Sequence, residues 1–315
     1  MKQVIFNVGG ALSTYIEFDD NTLLVDIGKS DFFNPINDFL LPLYKKRNAK
    51  KSTISSIKYH IDQLVISHPH NDHINAIDDF DKNFCPQLLT CPNDNPGQDE
   101  SFKVNWDLID NNDNVQILRE MLIKRDPPLI PINEINEFIY YIRPKYVERN
   151  DDLKNESYCN NISIAVFVKI NGSTILMPGD LQKLGMQFLI NTDPLYYNIL
   201  REGVDVLIAP HHGLRSSFST VMFDTIKNKK TRCLNIVSEK ITTADSARQV
   251  DTRYSTNEYC KGENNLLPPP VYQRKTSNGH IYIDYANYSS PKFEIITDKN
   301  ALIEKFFNMR VYRNG

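Results

Sequence analysis

Four potential metal ligands fall within the six residues His68-Pro69-His70-Asn71-Asp72-His73, and a second histidine pair stands in Pro210-His211-His212-Gly213. Imidazole and carboxylate suit zinc or manganese, and a set with few protein ligands per ion leaves positions open for water and substrate, as catalysis requires. Two ions roughly 3.5–4 Å apart can share a bridging hydroxide as nucleophile and neutralise charge on a phosphoryl or carbonyl oxygen. The spacing lets His68 and His70 face one ion while Asp72 and His73 face its neighbour. Asp180, after Gly179, is a carboxylate placed to bridge two cations; its other use would be as a helix N-cap. One of His211 and His212 should complete the second position. His211 lies nearer the preceding strand and is the expected ligand, which leaves His212 to contact substrate or carry a proton.

These residues need rigid platforms, and the apolar runs around them supply strands. The run Ile61–Ser67 reads as a buried strand ending at the first cluster, with a turn at Pro69 and a helix over Ile74–Phe80. Ile162–Ile170, the turn Asn171-Gly172 and Ser173–Met177 read as a hairpin that delivers Gly179-Asp180. Val204–Ala209 is a further buried strand and ends at the histidine pair. Strands are also expected over Lys2–Val8, Leu12–Phe18 and Thr22–Ile27, followed by a polar helical stretch. Residues 92–154 look like an insertion, with a helix over Asn114–Lys124, the breaker Asp126-Pro127-Pro128 and a strand-like run Glu137–Ile142. Such an insertion can form a lid or substrate wall, or serve as surface elaboration or an oligomer contact.

The HxHxDH cluster, Gly179-Asp180 and the late histidine pair resemble the metallo-β-lactamase superfamily. More closely, the chain resembles the metallohydrolase domain of the ComEC family of DNA-uptake proteins and its free-standing relatives. That likeness rests on Phe6-Asn7-Val8-Gly9-Gly10-Ala11, Leu24-Val25-Asp26-Ile27-Gly28, Asn160-Asn161-Ile162-Ser163, Met177-Pro178-Gly179-Asp180-Leu181, the run from Pro210 to Ser217, and Thr276-Ser277-Asn278-Gly279-His280-Ile281. The resemblance implies an α/β fold, a four-layer αββα sandwich formed by residues 1–315 as one domain, and hydrolysis of phosphodiester bonds in DNA. It also implies that His68, His70, Asp72, His73, Asp180 and His211 hold two divalent ions, zinc or manganese, with Asp180 bridging. His212 would then position phosphate or assist the leaving oxygen, and Asn161 would coordinate a metal or orient its water. Arg215, Ser216 and Ser217 could donate hydrogen bonds to a neighbouring phosphate, or act as caps and solvated loop residues.

The chain departs from the superfamily pattern in one place. No histidine occurs from Ile74 to Asp180, where a full zinc-type site has one; Asn160 and Asn161 stand near the expected position. An asparagine is usual there in the ComEC-like branch, and it makes the first position harder and raises the expectation of manganese over zinc. His70 is present, although ComEC domains often replace it, which points to a competent site.

Charge and composition narrow the partners. With a net charge of −3 and a pI of about 6.2 there is no overall basic field to gather DNA. Lys45-Lys46-Arg47 with Lys50-Lys51, and Lys227 through Arg232, are basic runs that could bind phosphate if they flank the cleft. Tyr140, Tyr141 and Tyr146 could stack on bases, though core packing is the simpler use. The five cysteines, Cys85, Cys91, Cys159, Cys233 and Cys260, have no paired zinc-ribbon spacing and predict no disulfide framework. Cys159 adjoins the asparagine pair and is expected to be a buried, inert thiol. The absence of a long apolar run or an apolar leader predicts a soluble cytoplasmic protein with no membrane association. The competing functions are hydrolysis of small phosphodiesters such as cyclic nucleotides, or of lactones or thioesters. A weakly active metal-binding subunit of a larger complex is the third. A protein partner or homo-oligomerisation is compatible with any of them.

Overall fold

The computed structural model describes all residues except 54, 93–99, 125–136, 228–233, 240–248, 261, 263–270, 287–290 and 308–315. The strands β1 (Lys2–Ile5), β2 (Ser13–Glu17), β3 (Thr22–Ile27), β4 (Tyr59–Val65), β5 (Phe84–Thr90), β12 (His280–Asp284) and β13 (Lys292–Ile296) form a seven-stranded sheet in the order β13-β12-β1-β2-β3-β4-β5. A six-stranded sheet, β11-β10-β9-β8-β7-β6, is built from β6 (Glu137–Tyr140), β7 (Ala165–Ile170), β8 (Ser173–Met177), β9 (Val206–Ile208), β10 (Leu234–Val237) and β11 (Gln273–Lys275). Both sheets are mixed. The hairpins β1-β2-β3 and β6-β7-β8 are antiparallel, and the neighbours β3-β4-β5 and β8-β9-β10-β11 are parallel.

Period-two alternation sets the layers. Ile5, Val25, Val65, Val166, Val168, Ile175, Val206 and Ile236 share one buried cluster between the sheets. Their chain neighbours Val4, Leu24, Leu64, Phe167, Leu176 and Leu207 belong to another, beneath the helices, because successive side chains of a strand point to opposite faces. Strands buried on both faces require a helical layer on each outer side. On the first sheet, Phe39 of the π-helical turn Pro35–Leu40 packs on Tyr15 of β2 and on Phe306 of α10 (Lys299–Phe307), beside α1 (Leu41–Lys46). On the second, Tyr196 of α8 (Pro194–Glu202) packs on Phe167 of β7, with α7 (Lys183–Thr192) and α9 (Thr220–Lys227) alongside. The result is a four-layer αββα sandwich.

Several expected boundaries move for tertiary reasons. The helix expected over Ile74–Phe80 is two, α2 (Asn71–Ile74) and α3 (Ile77–Asn83). The break at Asn75 and Ala76 is pinned to the end of β3: Asn75 Nδ2 donates to Lys29 O at 2.9 Å and Ala76 N to Ile27 O at 3.0 Å. The strand expected over Ile61–Ser67 ends at Val65, since Ser67 N leaves the ladder for Asp26 Oδ1 at 2.7 Å. At the same place Ser67 O accepts from Ile164 N at 2.8 Å, joining the two sheets where the histidines gather. The described parts of 92–154 include α4 (Asp113–Ile123), β6, α5 (Pro144–Arg149) and the start of α6 (Asp151–Asn161). Asn114 of α4 donates to Asn71 Oδ1 at 2.7 Å, so this segment packs beside the first histidine cluster. Asp126-Pro127-Pro128 and most of the run 227–232 lie outside the described residues. Among the described residues no helix is long and apolar enough to cross a membrane.

Candidate metal centre

Every residue of the HxHxDH cluster stands at the C-terminal end of β4, facing the ends of β8 and β9. Gly179 is required where these ends meet. Its φ is +58°, and a Cβ there would lie 2.8 Å from Ser67 Cβ, so both backbone conformation and space exclude a side chain. The close approach carries Asp180 inward, with its backbone N donating to Ser163 Oγ at 3.2 Å. His211 and His212 follow β9 with left-handed φ of 48° and 58°, a conformation that costs a non-glycine residue roughly 1–2 kcal/mol. His211 N donates to Gly179 O at 3.1 Å and holds this strained turn against the Asp180 loop.

Two ligand groups result. His73 Nε2 lies 3.2 Å from Asp180 Oδ1, and His68 Nε2 lies 3.7 Å from Asp180 Oδ2. His68 Nε2 and His70 Nδ1 face each other at 3.0 Å. On the other side, His212 Nε2 lies 3.1 Å from Asp72 Oδ2. Asp72, His73 and His212 bring one ligand atom each within 4.8 Å of the others, as do His68, His73 and Asp180, and so do His68, His70 and Cys159. Of the pair expected to be split between ligand and helper, His212 stands with Asp72 and His73. His211 Nε2 lies 3.7 Å from Asp180 Oδ2, and its ring rests on Gln182.

The tautomers follow from the outer hydrogen bonds. Asp26, buried at the end of β3 with φ of 56°, accepts from Ser67 N and Ser67 Oγ, and its Oδ2 accepts from His73 Nδ1 at 2.8 Å. That turns His73 Nε2 toward Asp180. His212 Nδ1 faces Ser238 O at 3.2 Å and must donate there, which turns Nε2 toward Asp72 at 3.1 Å; in both rings Nε2 is the nitrogen open to an ion once its proton leaves. His211 is the reverse. Ser217 Oγ donates to Gln182 Oε1 at 3.5 Å, which turns the Gln182 amide nitrogen to His211 Nδ1 at 3.0 Å. His211 Nδ1 therefore accepts, and in the neutral ring Nε2 carries the proton.

His73 Nε2 and Asp180 Oδ1 are buried 3.2 Å apart, and neither has another partner among the described residues. The metal-free pair is held by a proton between them, and a divalent cation at the same place would replace that proton. The charge balance agrees. Burial alone would lower His73, but the carboxylates of Asp180 and Asp26 outweigh it and hold the ring well above the usual histidine range. Burial also opposes His212, and the hydrogen bond to Asp72 with the nearby Asp180 raises it. Burial and the neighbouring His73 hold His68 well below the ordinary value, while burial lowers His70 and His211 against the pull of nearby carboxylates. Asp180 stays well below the carboxylate range because His73 and His68 outweigh the burial that would raise it. The donor set of imidazoles and carboxylates around two adjacent points fits a pair of divalent ions.

A sandwich whose two sheets converge at a histidine and aspartate cluster is the arrangement that the sequence resemblance implies. The fold itself is a four-layer αββα sandwich of two mixed sheets. Solved structures are similar to this chain at low identity. A metallo hydrolase from the archaeon Ignicoccus hospitalis has 13% identity, with 80% of this chain and 88% of that chain covered and a TM-score of 0.38. The metallo-β-lactamase fold protein YhfI from Bacillus subtilis has 14% identity, 79% and 91% coverage and a TM-score of 0.36. A diphosphatase from the PhnP family has 12% identity, 75% and 85% coverage and a TM-score of 0.36. No family model matches the sequence. Comparison with curated proteins gives no match. The chemistry of the site therefore rests on its own residues.

The remaining expected residues divide. Asn161 is engaged away from the ligand groups: its Nδ2 donates to Leu153 O at 2.9 Å and Glu156 Oε2 at 3.1 Å, and its Oδ1 accepts from Gln182 N at 3.2 Å. It builds the loop instead of facing an ion. Asn160 Oδ1 is buried without a partner among the described residues. Arg215 is exposed and lines an open pocket with Gln249, Asp251 and Arg253. Ser216 Oγ is 3.4 Å from His211 Nδ1, and Ser217 orients Gln182. Asp26, Ser67, Gln182 and Ser238 were not singled out from the sequence for this site. Asp26 carried a signal, as an acidic residue closing the apolar run Leu23-Leu24-Val25, but its partner His73 is 47 positions away.

Proposed function

We propose that this chain hydrolyses phosphodiester bonds with two divalent ions, and that DNA is its polymer substrate. His68, His70 and Asp180 would hold one ion, and Asp72, His73, His212 and Asp180 the other. The observation that carries the reading is the buried His73 Nε2–Asp180 Oδ1 pair, 3.2 Å apart and without another partner among the described residues, where two adjacent ligand groups meet. Bound ions would supply Lewis acidity toward the phosphoryl oxygens and make water a nucleophile near neutral pH. His211 presents its Nε2–H, held there by Gln182, as a hydrogen-bond donor to the leaving oxygen. Asp26 and Ser238 O keep the His73 and His212 lone pairs aimed inward. Asp72 and His211 are the more exposed members, with side chains 42% and 25% accessible, and they mark the side from which a substrate enters.

DNA is supported by the ComEC-like motifs. A second reading, a small phosphodiester, is favoured by how the basic and aromatic residues are used. Lys46 pairs with Glu304, and Arg47 with Glu17 at 3.0 Å, so part of the first basic run is spent holding α10. Tyr140 packs on Phe167 and Tyr196.

The test is cleavage of single-stranded and double-stranded DNA, and of bis-p-nitrophenyl phosphate, by chelated protein given zinc or manganese. Asp72→Ala with His73→Ala serves as the control. DNA cleavage restored by metal and lost in the control supports the nuclease. Control-sensitive hydrolysis of the small ester without DNA cleavage rejects DNA and selects the second reading. Hydrolysis equal in both proteins rejects the site.

A further inference from the structure

We propose that Cys159 is a thiolate ligand of the first ion, in place of the histidine that the sequence lacks between Ile74 and Asp180, and that it makes this position select zinc over manganese. The inference rests on the two-ion reading above and names a residue and a metal preference beyond it.

The local chain explains how a cysteine reaches this point. Helix α6 is interrupted at Ser157, which takes extended angles, so Tyr158–Asn161 forms a separate last turn. Ser157 Oγ caps that turn by accepting from Asn160 N at 3.3 Å. The buried Tyr158 fixes it from the insertion side, its hydroxyl accepting from Asn105 N at 2.8 Å. Cys159 then brings its Sγ within 4.8 Å of one ring nitrogen each of His68 and His70. In a tetrahedral zinc site with Zn–N of about 2.0–2.1 Å and Zn–S of about 2.3 Å, ligand atoms stand roughly 3.4–3.6 Å apart. A set already within 4.8 Å closes by movements on the order of 1 Å.

A second observation points into the same place independently of the thiol. Asp180, 2% exposed, has Oδ2 at 3.7 Å from His68 Nε2, while its Oδ1 faces His73 Nε2 at 3.2 Å. His68 is thus shared by the group it forms with His70 and Cys159 and the group it forms with His73 and Asp180, so a carboxylate stands beside the two imidazoles and the sulfur. Two other described thiols are used differently: Cys91 and Cys260 each donate to a backbone carbonyl, Pro92 O and Tyr272 O, at 3.1 Å.

On binding, the thiol S–H bond breaks, the proton passes to solvent and the sulfur lone pair forms the bond to the ion, with no change of oxidation state. A thiolate is a soft ligand that suits zinc and disfavours manganese. This reverses the preference expected from an oxygen-rich first position. Asn160 Oδ1, the buried oxygen next in sequence, is the competing donor and would favour the harder ion.

The experiment is a cobalt titration of the full, chelator-treated chain, followed by absorbance, with Cys159→Ser and Cys159→His beside it. The expected wild-type spectrum has visible cobalt bands and a near-ultraviolet sulfur-to-cobalt charge-transfer band. Both variants should keep the visible bands and lose the charge-transfer band. In competition, their zinc-over-manganese selectivity should fall by about tenfold or more. Cys159→His offers a ring nitrogen in place of the sulfur and so reports a folded site. Visible bands without charge transfer in the wild type, or charge transfer unchanged in the variants, would overturn the thiolate and leave the two-ion reading standing. No bound cobalt at all would overturn both.

Discussion

In the second ligand group His73 and His212 each direct Nδ1 at a fixed oxygen, Asp26 Oδ2 at 2.8 Å and Ser238 O at 3.2 Å. In the first, His68 rests on the Ser67 hydroxyl at 3.2 Å, and His70 turns its Nδ1 to His68 itself. The second group is thereby aimed before an ion arrives, and the carboxylates that aim it also raise the affinity of its rings for protons. The first group is aimed less firmly but has rings that burial keeps neutral. The lesson is that preorganisation and proton loading come together: an acidic brace that orients an imidazole also holds a competing proton on it.

Acid should separate the two positions most. In the metal-free chain His73 and His212 have raised values, so both carry protons below about pH 6.5, and an ion entering the second position must displace them. Its apparent affinity should fall by up to about 100-fold per pH unit, tenfold for each proton. His68 and His70 have lowered values and therefore carry fewer protons to displace. The first position should lose about tenfold per unit, from the Cys159 thiol alone. Ion content measured at fixed free zinc between about pH 7.5 and 5.5 should pass from two to one before it reaches zero. Simultaneous loss of both ions would break the comparison.

Removing the brace tests its other half. Asp26→Asn keeps a residue type that tolerates the left-handed backbone and takes away the carboxylate that holds His73. Loss of such an outer partner costs about 10–100-fold in metal affinity, and the cost should fall on the second ion. Calorimetric titration with zinc should then show one site weakened and one nearly unchanged. Equal weakening of both would mean that Ser67, which bonds Asp26 and touches His68, transmits the loss to the first group.

The ligand motifs were legible because they sit where apolar runs stop: His68 after Ile66-Ser67, Asp180 after Met177-Pro178, and the histidine pair after Ile208-Ala209. β3 and β8 occur at the expected residues, since Thr22–Ile27 and Ser173–Met177 are short runs bounded by turns. What escaped depends on tertiary contact. The placing of His212 beside Asp72 and of His211 beside Gln182 follows from two successive left-handed residues, and nothing in Pro-His-His-Gly announces them. Asn161 looked like a ligand by position, yet its amide is spent on Leu153 O, Glu156 and Gln182 N. The place of Cys159 beside His68 and His70 depends on a helix break at Ser157 that has no glycine or proline to mark it.

The smallest effect expected concerns the residue that neither group holds. Gln182 fixes the His211 tautomer by donating to Nδ1 at 3.0 Å. Gln182→Ala removes that bond without touching a ligand, so both ions should remain and hydrolysis should fall only a few-fold, well short of the roughly 100-fold loss expected for removing such a donor itself. Gln182→Glu makes a sharper case. A carboxylate at the same place draws the proton to Nδ1, frees the Nε2 lone pair and raises the ring's affinity for protons. With glutamate, hydrolysis should recover as pH falls and the ring takes a second proton that restores Nε2–H; with alanine there should be no such recovery. If neither variant alters the profile while ion content is unchanged, His211 carries no proton in the reaction, and the division between ligand His212 and proton-bearing His211 is wrong.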